Sequence, residues 1–248
     1  MPLSTKDRVE SYQELSNFRL MAKLPVILTI NGRSFSKLSS LIDKPYCPKF
    51  GECLYSTAIR LCSEIDGVVF GYVHGDDITL VLRNDQTNDT LPWCNNQINK
   101  ITSIASSVAS LHFNKCAAAL DLNIVDPTFI STCFTVPNLS EAINTIIYKQ
   151  QQNFYTSIQF ACFYEMIKKF DKQAIKDMLS GLSFDDKVQL LKQECDVDYY
   201  QYPTEFRRGV ALYKIPKVYE GNMKFKWHVN YDLPIFTKEQ SFLSAVFK

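Results

Sequence analysis

Two short polar segments carry most of the oxygen chemistry in this sequence. Asn31-Gly32 ends the apolar run Pro25 to Ile30, and His74-Gly75-Asp76-Asp77 separates the apolar runs Val68 to Val73 and Ile78 to Leu82. Adjacent carboxylates beside an amide oxygen are donors that suit Mg²⁺, which uses one or two carboxylates and completes its shell with substrate phosphates. Two such ions can stabilise the attacking and leaving oxygens of phosphoryl transfer. Gly32-Arg33-Ser34-Phe35 leaves the first run, and successive backbone N–H groups there can hold a triphosphate in a nest. Lys187, near the start of a helix opened by Ser183, offers a point charge for phosphate. Arg207-Arg208 precedes another apolar run and can also meet phosphates. Each signal has a plainer reading. Gly-Asp-Asp is common turn chemistry, Lys187 can be a solvated lysine, and the arginine pair can be a charged strand edge. Lys214, Lys217, Lys224 and Lys226 alternate with Tyr213, Tyr219, Phe225 and Trp227. That pattern suits nucleic acid and suits a two-sided surface strand equally well.

The elements that must position these groups follow from periodicity. Pro25 to Ile30 is short and β-branched, which predicts a buried strand. Phe50, Leu54, Ala58, Leu61 and Ile65 recur at helical spacing. The runs flanking Gly75-Asp76 predict a hairpin with an acidic tip. A second helix starts at Pro92 and runs toward His112, and strands are predicted over Ala117 to Val125 and Phe129 to Val136. The order strand, helix, strand, strand, helix, strand is the split βαβ, ferredoxin-like arrangement of an α+β fold, an antiparallel sheet with helices on one face. In it the first strand is a neighbour of the hairpin, so Asn31 and Asp76 lie side by side. Residues 139–167 read as mostly helical, with a shorter helix to Leu179. Ser183 reads as an N-cap with Asp185 and Asp186 in the first turn. Strands return at Val210 to Lys214 and Lys224 to Val229. Residues 1–137 form the ferredoxin-like α+β domain on this reading, and 138–248 a helical and strand extension packed on it.

Composition excludes several classes. The chain has 248 residues, 46% apolar and 13% aromatic, enough for a packed core. With 27 basic and 26 acidic residues the net charge is +1, so a nucleic acid would meet a local patch and not a global field. No apolar run reaches membrane-helix length, and the N-terminus lacks an apolar signal core. The eight cysteines form no CxxC pair and the three histidines are far apart. Free, mostly buried thiols in a reducing cytoplasm are expected, with no zinc cluster and no membrane contact.

At this point the motifs resemble those of the tRNA-histidine guanylyltransferase superfamily, including its guanylyltransferase-like 3′–5′ polymerases, over roughly residues 5 to 218. The family's D-G-R-x-F-H is similar to Asn31-Gly32-Arg33-Ser34-Phe35-Ser36, and its S-D-E-Y-S-F to Gly75-Asp76-Asp77-Ile78-Thr79-Leu80. A family W-R-Q is similar to Tyr148-Lys149-Gln150, and D-K followed by Y-R-K-G-T to Asp186-Lys187 and Phe206-Arg207-Arg208-Gly209-Val210. The resemblance implies a palm in which the 3′-hydroxyl of an incoming GTP attacks an activated RNA 5′ end. It implies two Mg²⁺ ions held by Asn31, Asp76 and the Gly32 carbonyl, with Asp76 and Asp77 catalytic. Gly32 to Phe35 and Lys187 would hold the nucleotide, Lys149, Arg207 and Arg208 the RNA, and the assembly would be a tetramer. The sequence departs from the family pattern. Asn31 stands where a metal carboxylate is expected, Asp77 where Glu is, and Ser36 where His is. Phe129-Ile130-Ser131-Thr132 lacks the charges of F-D-x-R, and Phe154-Tyr155-Thr156-Ser157-Ile158-Gln159 lacks the polar groups of H-I-N-N-L-Y. The expected function is Mg²⁺-dependent addition of a nucleotide, GTP favoured over ATP or another NTP, to an RNA 5′ end such as that of tRNA. The alternatives are a catalytically degenerate palm that binds nucleotide or RNA, and a palm of the nucleotide-cyclase type.

Overall fold

The computed structural model describes residues 4–35, 42–124, 126–219 and 222–247. Its centre is a six-stranded antiparallel sheet. In chain order the strands are β1 (Val26–Arg33), β2 (Val68–His74), β3 (Asp77–Leu82), β4 (Thr128–Thr135), β5 (Val210–Tyr219) and β6 (Asn222–Asn230). Their spatial order is β4-β1-β3-β2-β5-β6. The first four strands therefore have the ferredoxin-like order, with α2 (Pro48–Glu64) between β1 and β2 and α3 (Ile98–Ala119) between β3 and β4. The remaining helices are α1 (Thr5–Glu14), α4 (Leu139–Met166), α5 (Lys172–Leu179), α6 (Phe184–Cys195), α7 (Thr204–Arg208) and α8 (Gln240–Val246).

β1 is buried on both faces because helices cover both. Leu28, Ile30, Ile78 and Leu80 pack against Leu54, Ala58 and Leu61 of α2 and Ile101, Ala105 and Phe113 of α3. Ile27, Phe70, Tyr72 and Val81 point the other way, onto Ala142 and Ile146 of α4 and onto Leu233, Phe236, Leu243 and Phe247. The two helices of the βαβ units, α2 and α3, thus share one face as expected. The start of α4 and the C-terminal segment close the second face, as the period-2 alternation of an apolar strand requires. The distal half of α4 builds a separate cluster with α5 and α6 through Cys162, Met166, Ile175, Leu179 and Leu191.

One expectation changes. Ala117 to Val125 is not a strand. α3 continues through Ala119 and a turn follows, because an alanine run favours helix strongly and the short apolar run has no decisive period. Val125 itself lies outside the described residues, as does Ser36. Arg207-Arg208 ends the short helix α7 and, through Gly209, precedes β5 as expected. The Ser183 cap stands as expected: its hydroxyl accepts from Asp186 N–H while the Asp186 carboxylate accepts from Ser183 N–H. All eight cysteines are free thiols, four buried and four half-buried. Among the described residues no helix is long and apolar enough to cross a membrane.

Candidate active site

The β2–β3 hairpin closes with Gly75-Asp76 between the paired His74 and Asp77. Gly75 takes φ of 58°, as the first position of a two-residue hairpin turn demands. β1 runs antiparallel beside β3, placing Asn31 opposite Asp77. Gly32 N–H donates to the Asp76 carbonyl at 3.1 Å. The strand end and the hairpin tip are therefore one structural unit. Gly32 is needed for a steric reason: a Cβ there would sit 2.4–2.6 Å from ring atoms of Phe35. The Phe35 ring turns inward onto Phe50, Phe113 and Phe129, with centroids 5.0–5.8 Å apart.

A cleft of about 580 Å³ opens at this unit. Asn31, Phe35, Asp76, Asp77 and Lys149 line it, joined by Lys44, Tyr46, Tyr55, His74, Phe160, Glu205 and Phe206. Lys149 Nζ lies 2.6 Å from Asp77 Oδ2, and both side chains are about one-quarter exposed (25% and 27%). The pair is shielded enough to exceed a solvated surface ion pair. The Thr79 hydroxyl donates to Asp77 Oδ1 at 3.3 Å. Asp76 has no ion pair within 4 Å among the described residues. Burial, then the charge of Asp77, pushes its carboxyl above the usual range. Its own backbone N–H and the Lys44 ammonium oppose that push. Lys44 lies over the rings of Tyr164 (5.3 Å) and Phe160 (5.8 Å), and burial lowers its pKa.

His74 serves as a pin. Its Nε2–H donates to the Phe206 carbonyl at 3.1 Å, and burial lowers its pKa to about 4, so the ring is neutral at physiological pH. α4 is fixed from the same side. Asn153 donates to the Tyr72 hydroxyl (2.7 Å), which donates to the Arg208 carbonyl (2.8 Å). Gln150 donates to the Pro234 carbonyl and accepts from Phe236 N–H. These bonds hold the turn of α4 that carries Lys149.

Not every expected residue reaches the cleft. Gly32, Arg33, Ser34, Lys187, Arg207 and Arg208 are not among its lining residues. The Gly32 amide is committed to Asp76, which leaves the later N–H groups for any phosphate nest. Lys187 lies on α6, where its carbonyl accepts from Cys162. Arg207 Nε–H donates to the Tyr202 carbonyl at 2.7 Å. Arg208 donates to the Leu233 carbonyl at 2.9 Å. In the β5–β6 ribbon Phe225 is exposed and Lys214 lies over Trp227; the side chain of Tyr219 lies outside the described part. Lys44, Tyr46 and Glu205 were missed. Asp43-Lys44-Pro45, a charged pair before a proline shortly after the strand-end glycine, was a legible signal for the first. Glu205 had none, since its neighbour Tyr46 is 159 residues away.

The donor set fits a divalent cation. An unpaired, half-buried carboxylate at Asp76 with an amide oxygen at Asn31 supplies hard oxygen ligands, and substrate phosphates would complete the shell. Among the described residues no group of three or more His, Cys, Asp or Glu side chains forms a cage that would hold a metal unaided.

A family model described as tRNAHis guanylyltransferase matches residues 6–137. The chain belongs to the tRNAHis guanylyltransferase family. Members are nucleotidyltransferases, and the residues of the cleft fall mostly within the matched segment. A probable tRNA(His) guanylyltransferase of Dictyostelium discoideum is 22% identical over 79% of this chain and 78% of its own length. The tRNA(His) guanylyltransferase 2 of Arabidopsis thaliana is 23% identical over 87% of this chain and 40% of its own. Among solved structures, a bacterial guanylyltransferase-like protein in complex with ATP superposes with a TM-score of 0.85 at 23% identity, covering 99% of both chains. The tRNA(His) guanylyltransferase of Saccharomyces cerevisiae superposes with a TM-score of 0.73 at 17% identity, covering 87% of this chain and 94% of that one. The whole fold, the α4–α6 region and the C-terminal strands included, is therefore the guanylyltransferase fold.

Proposed function

We propose that this family member transfers a nucleotide, with GTP the favoured donor over ATP, to the 5′ end of an RNA, tRNA being the first candidate, with the help of Mg²⁺. The observation that carries the reading is the convergence of Asn31, Asp76, Asp77, Lys44 and Lys149 in one aromatic-walled cleft large enough for a nucleotide. Asp76 and Asn31 would hold the metal. When bound, the ion neutralises phosphate charge and orients the reacting oxygens. Lys44, close enough to Asp76 to oppose the rise in its pKa, supplies a cation on the phosphate side. Lys149 fixes Asp77 so that its carboxylate stays beside the hairpin tip. The aromatic wall excludes water and offers faces to a base. Cytoplasmic location and a tetramer belong to the same reading.

Purified protein incubated with each labelled NTP, Mg²⁺ and RNAs bearing a 5′-monophosphate or 5′-triphosphate tests it. Incorporation at the 5′ end, greatest with GTP, is expected. The second reading, a palm that binds nucleotide without transferring it, draws on neutral Asn31 and on the cation already paired with Asp77. Nucleotide binding with no incorporation on any RNA would favour it.

Restoring a carboxylate at position 31 separates the two further. Asn31→Asp places an anion opposite Asp77, where like charges repel across the strands. The metal-free variant is expected to be no more stable than the parent. With GTP present, Mg²⁺ should raise its melting temperature more than the parent's, because metal stabilises the folded state by mass action. An equal or smaller rise would show that position 31 does not face the metal.

A further inference from the structure

From the side of the cleft that α7 contributes we infer that Glu205 reads the Watson–Crick edge of a guanine base. This deepens the nucleotide-transfer reading and rests on it. Glu205 lies in the first turn of α7, and the following residue Phe206 is pinned to the hairpin by His74. The Tyr46 hydroxyl donates to Glu205 Oε1 at 3.0 Å, and the rings of Tyr46 and Phe206 lie 5.7 Å apart. Burial and the Glu205 charge push the Tyr46 hydroxyl well above its ordinary pKa, so the phenol remains a donor. Among the described residues no cation pairs with Glu205 within 4 Å. A carboxylate has about four acceptor positions, and one phenol satisfies one of them. The rest line a cleft walled by aromatic rings.

A half-buried carboxylate with spare acceptor capacity needs neutral donors in a fixed pair. Guanine presents two, N1–H and N2–H₂, side by side. Adenine presents an acceptor, N1, beside a single donor, and its lone pair would face the carboxylate. Stacking on Tyr46 or Phe206 tolerates either purine, so discrimination falls to Glu205. The tyrosine acts as a positioning residue that aims the carboxylate.

Titration calorimetry of the full chain with GTP, ITP and ATP in Mg²⁺ buffer tests this, with thermal melts as a check on folding. ITP lacks the N2 amine and offers one donor where GTP offers two. The parent is expected to bind GTP best, ITP next and ATP least, GTP leading ATP by about tenfold or more, the range a good bidentate base contact gives. Glu205→Gln keeps the shape and replaces one acceptor by a donor, which suits adenine. The GTP:ATP preference should fall at least about tenfold, and Tyr46→Phe should weaken it part-way. A short RNA with 5′ guanosine or 5′ adenosine forms a second arm, because the guanine can come from the RNA. A preference lost in that arm alone supports the same contact with the RNA as its source. Unchanged preferences in both arms for a folded Glu205→Gln that still binds would overturn the inference alone. Failure of the parent to bind any nucleotide or RNA would overturn it together with the nucleotide-transfer reading.

Discussion

Asp76→Asn should lose about a thousandfold in nucleotide transfer while folding as well as the parent. The loss follows from removing a hairpin-tip carboxylate that has no ion pair within 4 Å among the described residues. Without its anion the remaining oxygen donors, Asn31 and a strand carbonyl, bind a hard cation weakly, and a single electrostatic contact to a transferring phosphoryl group is worth about a hundred- to a thousandfold. The stability expectation has the opposite sign from that of most site substitutions. Burial and Asp77 hold the Asp76 pKa above the ordinary carboxylate value. The group therefore contributes stability when protonated, and that contribution is lost as pH rises through its folded-state value. At neutral pH the ionised side chain is a cost that the isosteric amide removes. In metal-free buffer the variant should melt at the parent's temperature or slightly above it, and Mg²⁺ with GTP should stabilise only the parent. Thermal melts with and without Mg²⁺, beside the transfer assay, read both. A variant that retains activity would reduce Asp76 to a turn residue, and one that unfolds would make it structural.

Gly32→Ala should cost about 3 kcal/mol of stability, the upper end of what overpacking a tight site costs. The new Cβ would lie 2.4–2.6 Å from Cγ, Cδ1 and Cδ2 of Phe35. Those atoms are at the base of the ring, so no terminal rotation clears them, and the ring is wedged among Phe50, Phe113 and Phe129. The strand end must shift, and with it the Gly32–Asp76 hydrogen bond that ties β1 to the hairpin. For a chain of this size the melting temperature should fall by roughly 6–12 °C, and transfer activity should fall with it. Denaturant unfolding of Gly32→Ala, Phe35→Leu and the double variant measures the contact. The double variant should be less destabilised than the sum of the singles, because shrinking the ring relieves the clash. Strict additivity would show that glycine is not required by Phe35.

How much of this was legible beforehand depends on the range of each signal. Short apolar runs along 25–30, 68–73 and 78–82 and helical spacing along 50–65 and 98–111 specified the order of the first elements, and that order placed Asn31 beside the hairpin tip. Gly75 announced its turn and Ser183 its helix because both act through bonds within three residues. Such signals report which face of an element is apolar, or where it starts; they do not name a partner. The tertiary structure alone decided that the second sheet face is closed by α4 and residues 233–247, and that β5 and β6 extend the sheet from β2. It also decided that Lys149 reaches Asp77, 72 residues back, and that Tyr46 meets Glu205 across 159. A lysine on a helix or a glutamate in a first turn looks like any solvated charge until chain closure brings its partner. The sequence determined a strand end and a carboxylate turn that must be neighbours. Packing decided which of the distant charges became their counter-ions, because Coulombic partners are chosen by distance in space and leave no period along the chain.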